Sequence, residues 1–314
     1  MGSTLLNNQP TEQTASQIEK RRRRSQLGRY QMWMAYLFVS PALILFFLFA
    51  VLPALMAFIL SFSSYDILTE IKWIGLNNYQ RLISDDLFFT SLRNVFSYAI
   101  LFVPSMIALS LSLALALNRK VPGMQIFRTL YYFPMITSSV AASTIWIWML
   151  HKDYGLINQL LSVIGVIGPA WLNDSDTAML AVVLVTLWQG LGGNMIVYLA
   201  GLQGIPQYLY ESARLDGANA WQMFRYITWP SLQTTTFFVV TMSLIGAFQL
   251  FDQSYIMTRG GPGHATLTTV FHIYQTGFNE LKMGYASALA FVLFLIILTI
   301  SLINIRINRE NTMF

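Results

Sequence analysis

The chain has no cysteine, and only 11% of its 314 residues are charged. The missing cysteines exclude a disulfide scaffold, Cys-ligated zinc and thiol catalysis. The scarcity of charge sets the chain apart from soluble globular proteins, in which about 25% of residues carry one. No Gly-Lys pair occurs either, so a phosphate-cradling Walker A loop is excluded and any ATP must be handled elsewhere. The three histidines, His151, His264 and His272, lack metal-ligand spacing and read as surface residues, and no paired acids fall inside an apolar stretch. A metal site is therefore not expected.

What is present is hydrophobic, at 55% of residues and a mean hydropathy of +0.53, which excludes intrinsic disorder and places the chain in a bilayer. A membrane-crossing helix needs about 20 apolar residues. Six stretches free of Asp, Glu, Lys and Arg meet that length, at 33–60, 95–117, 129–150, 177–200, 232–251 and 283–305. A membrane β-barrel would alternate in polarity, and 42–51 or 289–299 do not. The first stretch follows Arg21-Arg22-Arg23-Arg24 but is about twice as long as a signal-peptide core, so it reads as an anchor. The expected fold class is an all-α membrane protein with six transmembrane helices.

An even number of spans puts both termini on one side. Of 19 Lys and Arg, 13 fall on that side: six before the first span, then Arg119, Lys120, Arg128, Arg214, Arg225, Arg306 and Arg309. By the positive-inside rule both termini are cytoplasmic, and the arginine cluster anchors topology beside anionic lipid; nucleic acid is not an expected partner. Residues 1–32 then form a basic N-terminal segment, 33–305 the six-helix domain and 306–314 a tail.

Several spans carry helix breakers: Pro41, Pro53, Pro104, Pro134, and Gly190, Gly192 and Gly193. Prolines free carbonyls that protein must satisfy, and glycines admit a close neighbour, so these helices are expected to pack on others. Tyr131, Tyr132, Trp146, Trp148 and Trp188 read as an interfacial aromatic belt. Inside the spans only neutral polar groups such as Gln189, Asn194 and Gln249 occur, and Asp252 sits at the external end of the fifth. An ion-coupled transporter usually places ionisable groups deeper.

The cytoplasmic connection 201–231 is far longer than the usual bundle linker of about 2–8 residues. Pro206 suits a helix start, 207–215 are helix formers, Asp216-Gly217 makes a turn with a glycine able to take positive φ, and a second helix runs over 218–228 to end at Pro230. Trp221, Phe224 and Ile227 recur every three residues, an apolar stripe that two helices alone cannot bury.

The run Glu211-Ser212-Ala213-Arg214-Leu215-Asp216-Gly217-Ala218, followed by Phe224, Ile227 and Pro230, resembles the EAA loop of permease subunits in binding-protein-dependent ABC importers. It departs at Ser212, where alanine is usual, and at Thr234, where a second proline often falls. Gly75-Leu76-Asn77-Asn78-Tyr79, Gly155-Leu156-Ile157-Asn158 ahead of Trp171-Leu172, Phe251-Asp252-Gln253-Ser254-Tyr255 and Thr258-Arg259-Gly260-Gly261-Pro262-Gly263 are similar to the carbohydrate-uptake branch, as is Tyr285-Ala286-Ser287-Ala288.

The resemblance implies a type I ABC importer permease fold, MetI-like, in a bacterial or archaeal cytoplasmic (inner) membrane. It implies a second permease subunit, two ABC ATPase subunits that hold ATP and Mg2+, and an extracytoplasmic solute-binding protein, with no cofactor or metal on this chain. The loop would dock as a coupling helix in the ATPase through Glu211, Ser212, Ala213, Asp216, Gly217, Ala218, Phe224 and Pro230. Glu211 and Asp216 can cap helix N-termini or accept from partner side chains. A sugar offers hydroxyls and C–H faces, which makes Gln249, Asp252, Gln253 and Tyr255 candidate contacts, with Asn194 opposite; each lone amide can equally bond one helix to another. A secondary transporter and a membrane-embedded enzyme are the alternatives.

Overall fold

The computed structural model describes residues 31–119 and 121–311. The basic residues before position 31, Lys120 and the last three residues lie outside the described residues. The chain divides after Ile59 into two units.

The first unit holds most of α1 (Gln31–Leu60), long and apolar enough to cross a membrane and without a buried side chain. Pro53 does not break it. Because proline cannot donate to the carbonyl four residues back, the ladder slips by one through a π turn, Phe47–Val51, and the Leu52 N–H donates to the Phe47 carbonyl.

The second unit begins with a two-stranded antiparallel ribbon, β1 (Ser63–Ser64) against β2 (Lys72–Trp73), closed by the Asn78 amide donating to the Ser61 and Ser63 carbonyls at 2.8 and 2.9 Å. α2 (Asn77–Ile83) leads to α3 (Asp86–Leu117), whose first turn is capped by the Asp85 carboxylate accepting from the Leu87 and Phe88 N–H groups. α4 (Met124–Ile136), α5 (Ser139–Met149) and α6 (Leu156–Val163) precede α7 (Ser175–Gln203). A hairpin of α8 (Gln207–Leu215) and α9 (Ala220–Ser231) turns into α10 (Gln233–Phe248). α11 (Thr269–Tyr274) and α12 (Met283–Asn311) finish the chain.

α3 and α7 form the spine, joined by α10 and α12. Val95, Tyr98 and Met106 meet Val182, Leu187 and Phe248 in one core, and Leu111, Met195, Tyr198, Leu232 and Val239 make a second toward the hairpin. Lipid is as apolar as these side chains, so close packing rather than water exclusion holds such helices together. Gly192 lets two helices meet backbone to backbone: a Cβ there would fall onto the Tyr131 carbonyl and 2.6 Å from Tyr132 Cα, where α4 crosses α7.

Among the described residues, four helices are long and apolar enough to span a membrane, and five if α9 and α10 count as one span bent by 64°. The expected third span, 129–150, is not one helix. Thr137 is extended, at φ −76° and ψ 147°, and splits it into α4 and α5. The break is satisfied locally: Thr137 Oγ1 donates to the Pro134 carbonyl at 2.6 Å, and the Thr137 carbonyl accepts from Gln189 Nε2 at 3.3 Å. Pro230 does not end the hairpin's second helix either, which runs on to Ser231. Trp188 lies mid-way along α7, 39% exposed and edge-on to Trp146 at 5.5 Å, so it is not at a helix end as expected, whereas Trp146 lies in the last turn of α5. His272 is buried at 5% exposure, beside Asp85, and is not the surface residue expected.

Candidate functional site

Two features stand out, one at each end of α10. The first is a cavity of about 360 Å³ among α3, α7 and α10, lined also by the residues that follow α10. Asn194, Gln249, Asp252 and Gln253 all line it, so four of the five candidate contacts converge. Tyr255 does not line it; the ring stacks on Phe251, which does, at 5.3 Å.

The polar groups of this cavity have distinct attachments. The Asp252 carboxylate accepts from the Ser139 hydroxyl at the start of α5. Gln253 Nε2 donates to Gln189 Oε1 at 3.0 Å, and Gln189 in turn holds the Thr137 carbonyl, so a chain of bonds runs from the end of α10 through α7 to the α4–α5 break. Asn194 spends one amide hydrogen on the Gly190 carbonyl at 3.2 Å in its own helix. Gln249 is exposed and makes no side-chain hydrogen bond among the described residues, which leaves its amide free to face a polar solute. Tyr98 donates to Thr186 Oγ1 at 2.9 Å, and both line the wall. Ser139, Thr137 and Tyr98 escape detection in the sequence because each sits in a long apolar stretch; only Gln189 is visible there, as a neutral amide within a span.

Amide, hydroxyl and carboxylate groups set among Phe102, Phe251 and Met106 suit hydroxyl-rich cargo that also offers C–H surface. The lining carries one carboxylate and no cation.

The second feature is the α8–α9 hairpin. α8 buries none of its residues. It ends in a reversed turn: Gly217 takes φ +80°, the Ala218 N–H donates to the Ala213 carbonyl at 2.9 Å and the Gly217 N–H to the Arg214 carbonyl at 3.1 Å. Asn219 then starts α9 with a capping box, exchanging bonds with Gln222 at 2.8 and 2.9 Å. Neither Glu211 nor Asp216 is an N-cap; Asp216 is the C-cap of α8.

The Tyr210 and Thr228 hydroxyls bond at 2.8 Å across the two arms, and a π turn, Phe224–Thr228, absorbs Pro230 as α1 absorbs its proline. Of the apolar stripe, Phe224 packs on the core of α3 and α7, while Trp221 remains 69% exposed. Glu211, Ser212, Asp216, Gly217 and Pro230 are exposed, and Ala213 and Ala218 half-buried. Leu215, at 90% exposure, stands clear of the chain. A rigid, capped hairpin with unburied Tyr208, Leu215, Trp221 and Tyr226 has the surface of a docking element.

Cavity and hairpin share their helices. α7 supplies Gly190 and Asn194 to the wall and runs into the hairpin; α10 leaves the hairpin and supplies Met242, Gly246 and, at its end, Gln249. The hairpin is thus continuous in the chain with both walls.

This architecture is that of a helical membrane permease. Residues 106–310 match the family described as "Binding-protein-dependent transport system inner membrane component", and the chain belongs to it. It is 39% identical over 273 residues to the probable ABC transporter permease protein YesP of Bacillus subtilis, covering 85% of this chain and 88% of that one. Identity is 35% to the arabinooligosaccharides transport system permease protein AraP of Halalkalibacterium halodurans, covering 93% of each chain. The lactose transport system permease protein LacF of Rhizobium radiobacter is also 35% identical, with 91% and 98% covered. A bacterial ABC transporter involved in import of the acidic polysaccharide alginate has a chain of the same fold, with TM-score 0.80 at 23% identity over 91% of this chain and 99% of that one.

Proposed function

We propose that this chain is one half of the translocation pathway of an ATP-driven sugar importer and is moved by a separate ATPase through the α8–α9 hairpin. The carrying observation is mechanical: an exposed, doubly capped hairpin is continuous with the two helices that wall a polar cavity. Glu211, Ser212, Ala213, Asp216, Gly217 and Ala218 form its turn and the preceding face, with Phe224 and Pro230 seating the second arm. ATP and Mg2+ belong to the partner ATPase. Its closure would draw the hairpin and tilt α7 against α10, switching the cavity between two openings.

In this reading the chain crosses the cytoplasmic (inner) membrane six times with both termini inside. α4 and α5 together make the third crossing, broken at Thr137, and α10 the fifth. A second permease subunit completes the pathway, two ABC ATPase subunits drive it, and a solute-binding protein delivers cargo from outside; a relative of the same fold was crystallised with an alginate pentasaccharide-bound periplasmic protein. Arabinooligosaccharides and lactose in relatives' names, with the hydroxyl-binding groups Asn194, Gln249, Asp252 and Gln253 in the cavity and Tyr255 backing Phe251, support a sugar as cargo.

Mild-detergent purification of the tagged chain tests the assembly. An ATPase and a second permease should co-purify, and proteoliposomes of the whole assembly should accumulate sugar only with ATP and the binding protein. Accumulation by this chain alone would overturn the proposal in favour of an ion-coupled transporter.

A further inference from the structure

The hairpin end of the bundle holds another cavity, of about 700 Å³, that neither the solute route nor the hairpin uses. Its walls are residues 118, 119 and 121–123 between α3 and α4, the start of α4 and Gln203 at the end of α7. Among the described residues two cations, Arg119 and Arg128, line it, and no acid does. Arg128 is held in place: its Nη2 donates at 2.7 Å to the carbonyl of Leu117, the last residue of α3. Its Nε–H is nonetheless buried and has no acceptor among the described residues. A guanidinium is permanently charged and presents its N–H groups as a fork that matches phosphate. A guanidinium fixed in place, beside a second cation and with no carboxylate in the lining, is suited to an anion.

A second observation narrows the anion. From the rim of this cavity Ile126, Phe127, Leu130 and Phe133 leave α4 as a continuous exposed apolar strip, with Ile126 belonging to both cavity and strip. A soluble anion has no use for that strip, whereas an acyl chain does. We propose that the cavity binds the phosphate headgroup of an anionic phospholipid, with Arg128 and Arg119 on the phosphate and the α4 strip along an acyl chain. Zwitterionic lipid is disfavoured because the cavity offers no carboxylate to its ammonium group. Basic pockets between membrane helices recognise lipid headgroups by this charge pattern.

The test uses the intact transporter complex, delipidated in neutral detergent and titrated with phosphatidylglycerol or phosphatidylethanolamine under native mass spectrometry. Phosphatidylglycerol should be retained about tenfold better, and Arg119→Gln or Gln125→Glu should each weaken its retention about fivefold, in line with one surface charge apiece. Arg128→Gln should weaken it further but also frees the Leu117 carbonyl, so the first two variants, which leave that bond intact, keep the test decisive if it fails to fold. Equal retention of the two lipids, or wild-type retention in both Arg119→Gln and Gln125→Glu, overturns the proposal. Displacement of phosphatidylglycerol by equimolar glycerol 3-phosphate also overturns it, since a free phosphate would then suffice; no displacement supports the lipid.

Discussion

α10 joins two connecting regions of opposite character. At its end, residues 250–276 tie their polar groups to one another and to the helices. Ser254 Oγ donates to the Thr266 carbonyl at 2.5 Å, Thr268 Oγ1 to the Leu250 carbonyl at 2.7 Å, and Asn94 of α3 reaches across to the His264 and Leu267 carbonyls at 2.7 and 3.0 Å. Ser254, Thr266, Thr268 and Thr269 are wholly buried. At its start, the hairpin is just as regular in backbone yet turns Leu215, Trp221 and Tyr226 outward. One connection is closed on its own chain and shapes the cavity; the other leaves its apolar side chains exposed, as the proposed docking role requires. Ordered backbone with unspent apolar side chains is the mark of an element built for a partner.

The sharpest way to break this contrast is at Gly217. A Cβ there meets open space, so Gly217→Asp harms the fold only through the positive φ, at about 1–2 kcal/mol. A charge in the partner contact should nevertheless cut ATP-driven uptake to below about a tenth with the complex still assembled, the loss expected when a central contact is spoiled. Gly217→Asn tolerates the same backbone and separates strain from charge: it should keep more uptake than Gly217→Asp. Normal uptake in proteoliposomes by Gly217→Asp would remove the coupling role.

The closed region should respond in stability instead. Thr266 Oγ1 donates to the Gly261 carbonyl at 2.8 Å and lies 2.6 Å from Thr258 Oγ1. Thr266→Val keeps the shape and removes the donor to the Gly261 carbonyl, while Thr258 Oγ1 can still donate to the Ser254 carbonyl at 3.0 Å; the change should cost about 1–3 kcal/mol, read as a lower melting temperature of the purified complex. Leu215→Ser is the matching change in the hairpin. Because Leu215 is 90% exposed, stability should stay within about 0.5 kcal/mol, while co-purification of the ATPase weakens. A melting point that drops as far as for Thr266→Val would mean that the hairpin, too, is closed on this chain.

How much of this was legible in the sequence follows the same divide. The hairpin is written locally: the reach of α8 over 207–215 and the positive φ of Gly217 come from residues a few positions apart, and chain and structure agree there. Four of the five cavity candidates are legible as polar groups in or beside apolar stretches. The α4–α5 break is not, because it depends on Gln189, 52 positions from Thr137, accepting the cost of an interrupted helix. His272 is misread for the same reason. Its neighbour Asp85 is 187 positions away, and no local pattern signals that a histidine in a short helix is buried. The π turns before Pro53 and Pro230 also hide, since a proline announces a lost donor but not whether the ladder breaks or slips.

The smallest effect is a pH dependence confined to the closed face. Asp85 caps α3, accepts from the Tyr285 hydroxyl at 2.5 Å and lies 3.4 Å from His272 Nε2, with Arg81, Asp86 and Glu280 around the same pocket. Burial pushes its carboxyl up, but the Tyr285 hydroxyl, the Phe88 N–H and His272 together outweigh it and hold the group below the ordinary carboxylate value. A folded value below the unfolded one means that the ionised form stabilises the fold. That contribution is whole above the ordinary carboxylate pKa of about 4 and is lost as pH falls through the lower, folded value. Melting of the complex should therefore shift downward as pH drops from about 5 to about 3, and Asp85→Asn, which still caps the helix, should flatten the decline. An equally steep decline in that variant would place the acid sensitivity elsewhere and leave the closed face without its titrating clamp.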